Sequence, residues 1–281
     1  MKNLIVLTAL ALFSSLLQAD IISLEMDQDK VATAEYRPGE EDKPLLIFIH
    51  GFLQTRDFST VRRLADAMLE NNYSVLSPTL TLGISNRAKS LACESIHLHS
   101  LDQDAVEIAR WIDWAQQQGH EDIILLGHSA GSATITAYLA NADSPVVRKT
   151  ILISLTYFGE NSPVNFETSA LAGKARDMLK NGENGVAPFA LSYCKQYVTT
   201  PENFLSYYDW SEQPILDAIS RGQLINHIIL GSSDERINPQ WLAALQKTRN
   251  PVVIIDGANH FFDQEHEFDL LDAVETILLT E

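Results

Sequence analysis

Basic residues are scarce in this chain: 20 Lys and Arg stand against 37 Asp and Glu, a formal net charge of −17, and no block of Lys or Arg relieves the deficit. Phosphate backbones are bound through basic surface, so a nucleic-acid partner is disfavoured. The acidity reads as a soluble, self-repelling surface more readily than as a site for a cationic substrate. Cysteine is nearly absent, at two residues, Cys93 and Cys194. An oxidising compartment would let them pair, but sequence alone does not show whether their Cα atoms come within bridging reach, so pairing stays open. Beyond the N-terminus there is no long apolar run, which argues against a membrane span in the body of the chain. Internal repeats and low-complexity tracts are missing as well.

What is present begins with a leader pattern. Lys2 precedes an almost uninterrupted apolar run over residues 4–17, and Ala19 offers a small residue at a cleavage point, leaving Asp20 as the mature start. The pattern predicts a signal peptide over 1–19 and a periplasmic or secreted product over 20–281. The run is shorter than the roughly twenty apolar residues that cross a bilayer, and no Cys follows it to take a lipid.

The remaining chain suits one large domain, since 46% of its residues are hydrophobic and a substantial core can be buried. Strand-like and helix-like segments alternate along it. Residues 31–36 alternate apolar and polar, 45–49 (LLIFI) form a short continuous apolar run, and Val61, Leu64, Ala65, Met68 and Leu69 recur at helical spacing. Residues 73–76 read as a strand stopped by Pro78 and 102–118 as a helix. The stretch 123–126 (IILL) reads as a buried strand followed by a helix over 132–140. Further apolar runs lie at 151–155, 228–230 and 252–255, with helices around 241–247 and 270–279. This order predicts an α/β fold, a mostly parallel central sheet flanked by helices. The stretch 157–222 breaks the rhythm. It is dense in aromatic residues such as Phe189, Phe204, Tyr207, Tyr208 and Trp210, and it reads as an inserted helical cap.

The sharpest local signal is Gly127-His128-Ser129-Ala130-Gly131, a G-x-S-x-G run placed between the IILL strand and a helix. On such a turn the serine is lifted clear of the sheet, and side chains at Gly127 and Gly131 would collide with backbone. A hydroxyl is a poor nucleophile without a base. His260, in Gly257-Ala258-Asn259-His260 after the last strand, is the candidate; a lone histidine is ordinarily a packing residue, but this position reverses that preference. The base needs a carboxylate to orient it. Asp234, at the carboxyl end of the 228–230 strand, is favoured over its neighbour Glu235 and over Asp256, which sits too near His260 in sequence. Backbone donors for an oxyanion are expected at Ala130 and at Phe52, in His50-Gly51-Phe52 after LLIFI. His97 and His99 have a spacing compatible with metal, yet no matching ligand cluster accompanies them. With Tyr193 and Tyr197 they are candidates for lining a substrate pocket, and no metal or other cofactor is expected.

Taken in order, H-G-F, G-H-S-A-G, G-S-S-D and G-A-N-H resemble the α/β-hydrolase superfamily from about Lys43 onward. The resemblance implies the roles of oxyanion loop, nucleophile elbow, acid and base at these positions, and a cap inserted after the sixth core strand. It implies a serine hydrolase acting on a small-molecule or lipid-like ester, with a thioesterase, lysophospholipase or peptidase as alternatives within the class. A binding protein that kept the fold without catalysis is the alternative outside it. Neither oligomeric state nor acyl length can be read from the chain.

Overall fold

The structure is a computed structural model that describes residues 19–142, 144–163 and 168–280. The leader reading over 1–19 therefore lies almost wholly outside the described residues.

The run Leu45 to Ile49 explains the architecture, because every one of its side chains is buried. Leu45, Ile47 and Ile49 pack into one hydrophobic cluster and Leu46 and Phe48 into another, as expected for a strand covered on both faces. In chain order the elements are β1 (Asp20–Glu25), β2 (Val31–Arg37), β3 (Leu45–Ile49), α1 (Ser59–Glu70), β4 (Ser74–Thr79), β5 (Ile96–His97), α2 (Leu101–Gln117), β6 (Ile123–His128), α3 (Ala130–Asn141) and β7 (Val147–Ile153). They continue with α4 (Thr168–Lys180), β8 (Ala187–Leu191), β9 (Cys194–Thr199), α5 (Pro201–Tyr208), α6 (Glu212–Ser220), β10 (Ile225–Gly231), α7 (Pro239–Gln246), β11 (Val252–Ile255) and α8 (His266–Leu279).

Eight strands form the central sheet in the order β1-β2-β4-β3-β6-β7-β10-β11. The β1–β2 and β2–β4 pairs are antiparallel and the rest parallel. Helices α1 and α8 cover one face through Leu64, Met68, Leu270 and Val274. Helices α2, α3 and α6 supply Ile108, Trp111, Ile135 and Ile215 on the other. Helix α2 starts at Leu101 because Ser100 and Gln103 cap each other, each side chain accepting from the other's backbone N–H.

Three elements differ from the sequence reading. Strand β4 runs through Pro78 to Thr79. Its pairing with β3 ends at Leu76, so the missing N–H of Pro78 faces no parallel neighbour and only β2 continues alongside. Strand β1 was not anticipated. The stretch 157–222 holds the helices α4, α5 and α6 but also the strands β8 and β9, which with β5 build a second sheet in the order β5-β9-β8. A disulfide between Cys93 and Cys194, with Cα atoms 5.3 Å apart, ties the segment after β4 to this insert. The insert follows β7, the sixth strand of the central sheet in chain order.

Candidate functional site

The sharp turn after β6 is built from backbone constraints. Ser129 sits at φ 58° and ψ −121°, a conformation that a non-glycine residue holds only when its surroundings force it. Its N–H donates to Ile153 O at 2.8 Å, and Ser132 Oγ braces the turn by donating to Gly127 O (2.7 Å) and Ile153 O (2.8 Å). A Cβ at Gly127 would lie 2.6 Å from Ser132 N, and one at Gly131 would meet the carbonyl oxygens of Ile49 and His50. Glycine is therefore required at both positions by close approach. The turn leaves Ser129 at the carboxyl edge of the sheet with 6% of its surface exposed.

His260 and Asp234 arrive at the same edge from the loops after β11 and β10. Ser129 Oγ and His260 Nε2 are 2.8 Å apart, and His260 Nδ1 and Asp234 Oδ2 are 2.7 Å apart. The network assigns the proton on Nδ1 to the bond with Asp234, leaving Nε2 to accept from the Ser129 hydroxyl. Asp234 Oδ1 accepts from the Arg236 N–H at 2.9 Å. Of the rival carboxylates, Glu235 is exposed and Asp256 accepts instead from Ser232 Oγ at 3.0 Å. Burial pushes His260 below its ordinary value, outweighing the opposing pull of Asp234. The His260 carbonyl oxygen accepts from His128 Nε2 and from Ser154 Oγ, both at 2.9 Å. Burial depresses His128 to about 3, so that neighbour stays neutral.

The loop after β3 carries Phe52 opposite Ala130, and both line a small cavity with His50, Leu80, Leu82 and Tyr207. His50 Nδ1 donates to Gly51 O at 2.9 Å, while its Nε2 accepts from Leu80 N (3.1 Å) and Arg87 Nη2 (3.0 Å). Burial first, and the Arg87 charge second, hold His50 at about 3, which suits this neutral tautomer. Tyr193, in the turn between β8 and β9, donates its hydroxyl to Phe52 O at 3.3 Å.

The four proposed pocket residues separate. His99 lines the small cavity, and Tyr193 lines a wider one of about 510 Å³ beside His260. His97 and Tyr197 line neither. They are fully buried and stacked on each other, with ring centroids 4.1 Å apart, and His97 Nε2 donates to Cys93 O at 3.2 Å. Their place is in the packing between β5 and β9.

Several polar side chains at the site or close behind it were not singled out from the sequence. Asp104 bonds His99 Nδ1 at 3.1 Å and accepts from the Tyr207 hydroxyl, while Glu107 accepts from Thr81 N at 2.8 Å and from the Thr81 hydroxyl. Both acids are buried on α2 beside its apolar stripe, which was the available signal, since an acid on the buried side of a helix needs a partner. In the wider cavity Arg236 lies over the rings of Tyr193 (5.8 Å) and Phe261 (5.2 Å), with Lys195 on the same lining. Among the described residues, no group of three or more His, Cys, Asp or Glu could hold a metal ion, and no helix is long and apolar enough to cross a membrane.

A model of the alpha/beta hydrolase family matches residues 46–273, most of the chain. The chain belongs to the alpha/beta hydrolase family. Family membership supports a general hydrolase function. A search of curated proteins finds no match by sequence. Among solved structures the chain is similar to Est1E from Butyrivibrio proteoclasticus, at 17% identity and a TM-score of 0.65 over 92% of this chain and 97% of that one. It is similar to the alpha/beta hydrolase GrgF from Penicillium sp. sh18, at 14% identity and a TM-score of 0.70 over 93% and 98%. A thioesterase domain from the curacin biosynthetic pathway aligns at 17% identity and a TM-score of 0.60 over 94% and 100%. At these identities the likeness is one of fold.

Proposed function

We propose that the protein is a serine hydrolase that cleaves carboxylic esters through an acyl-enzyme. The observation that carries this reading is the continuous hydrogen-bonded line from Ser129 Oγ through the His260 ring to Asp234, at 2.8 and 2.7 Å. As Ser129 Oγ attacks the ester carbonyl, its proton passes to His260 Nε2, and Asp234 stabilises the imidazolium that forms. The carbonyl oxygen gains negative charge between the N–H groups of Phe52 and Ala130. Collapse of the tetrahedral intermediate breaks the bond to the alcohol, which leaves with the proton from His260. Water, deprotonated by the same imidazole, then attacks the acyl-serine and restores the free enzyme.

The cavity beside the two backbone donors holds only about 10 Å³, the room of about one water, which favours a short acyl group such as acetyl. Export is proposed on the leader pattern over 1–19, with the Cys93–Cys194 disulfide as support, because such bonds persist in oxidising compartments. A fluorophosphonate probe tests the core of the reading. Wild-type protein is expected to label and to hydrolyse p-nitrophenyl acetate, and Ser129→Ala to do neither. Equal labelling of the two proteins would sink it.

A further inference from the structure

The space around Ser129 divides by chemistry. His260 must hand its proton to the departing oxygen, so the alcohol portion of an ester lies on the His260 side of the attacked carbon. The acyl portion lies on the side of Phe52 and Ala130. The wider cavity opens on the His260 side, lined by His260, Asn259, Phe261, Tyr193, Lys195 and Arg236.

In this setting Arg236 is unusual. Every other buried or half-buried arginine has polar partners for its guanidinium: Arg37 and Arg62 pair with carboxylates, Arg56 donates to Thr33, and Arg87 donates to Leu80 O and His50. Arg236 is half-buried between two aromatic rings, and among the described residues no carboxylate lies within 4.0 Å of its guanidinium. Contact with ring faces uses the flat surface of the cation and leaves the in-plane N–H groups for another acceptor. The carboxylate next to it in space, Asp234, is fully buried and committed to His260 and to the Arg236 backbone. Among the described residues that line this cavity, Glu235 is the one exposed acid. The overall charge of −17 does not forbid an anion here, because at physiological salt fields fade over about 8 Å and the nearest cations dominate.

We infer that Arg236 reads an oxyanion carried by the alcohol portion of the substrate, so that the enzyme takes short-chain esters of alcohols or phenols bearing a carboxylate or similar group. The assignment rests on the serine-hydrolase reading above and adds the leaving-group class to it. Arg236 acts in recognition, through bidentate hydrogen bonds that a neutral ester does not offer.

The test compares 4-acetoxybenzoate with its methyl ester, which differ in one negative charge on the phenol side. The readout is the ratio of kcat/KM for the anionic ester to that for the neutral one, so that differences in folding or in intrinsic ester reactivity cancel. Replacing Arg236→Gln is expected to lower this ratio by about 10-fold or more, the scale of a lost hydrogen bond to a charged group. Arg236→Lys, which keeps the charge without the fork, is expected to fall between the two. A ratio in Arg236→Gln within about twofold of wild type would overturn the assignment and leave Arg236 as a packing residue. Failure of wild type to hydrolyse either ester, together with no fluorophosphonate labelling of Ser129, would overturn the serine-hydrolase reading itself.

Discussion

At the scale of single residues, the proposed role of His260 as base makes its protonation set the pH behaviour. Burial lowers it from the ordinary 6.5 despite the Asp234 carboxylate. The base works only when unprotonated, so kcat/KM is expected to be flat at neutral pH and to fall in acid with a midpoint below 6.5. His50 and His128, both near 3, stay neutral throughout that window and do not blur the profile. A pH series on p-nitrophenyl acetate checks this, and a midpoint above the ordinary histidine value would contradict it. Ser129, His260 and Asp234 were legible in the sequence because each follows a recognisable strand and because the elbow restricts its neighbours to small residues. Arg236 was not legible: its surroundings come from Tyr193 in the β8–β9 turn and Phe261 after β11, and only folding brings them together.

At the scale of elements, α2 carries a buried acid with a measurable consequence. Burial, with the charge of Asp104 second, raises Glu107 from 4.5 to about 7. A raised carboxyl binds its proton more tightly in the folded state. Its contribution to stability is therefore present below 4.5 and is lost as pH rises to about 7. Glu107→Gln keeps an acceptor for Thr81 N and removes the titration, while its amide N–H can donate to the Thr81 hydroxyl, reversing the direction of that bond. Between about pH 5.5 and about pH 8 the variant is expected to gain about 2 kcal/mol relative to wild type, read by urea unfolding. A constant difference across that range would count against it. The central strands and helices could be placed from their apolar patterns, but the β8–β9 hairpin could not. Its turn is Ser192-Tyr193, with Ser192 at φ 52°, where a sequence reader looks for Asn-Gly. The end of strand β4, read as 73–76, likewise hid behind Pro78, since only the pairing partner tells whether the missing N–H matters.

For the whole molecule, the Cys93–Cys194 bond is the covalent cross-link, beyond the main chain itself, between the insert and the rest, joining residues 101 apart in sequence. Loop closure on that scale restricts the unfolded chain by about 3–5 kcal/mol. Replacing both cysteines by alanine, or adding reductant, is expected to lower the urea midpoint accordingly, and an unchanged midpoint would show that the bond does not form in solution. The pairing could not be decided from sequence because it depends on β9 docking beside β5, a contact between distant segments.

The backbone carbonyl of His260 receives hydrogen bonds from His128, the last residue of β6, and from Ser154, just beyond β7. The proposed general base is thereby moored to the middle of the sheet from behind, by groups outside the Ser129–His260–Asp234 line. The insert lines the wider cavity through Tyr193 and Lys195, whereas the His260 carbonyl is held by residues at the ends of β6 and β7. On the proposed serine-hydrolase reading, loosening the insert is expected to change selectivity before turnover.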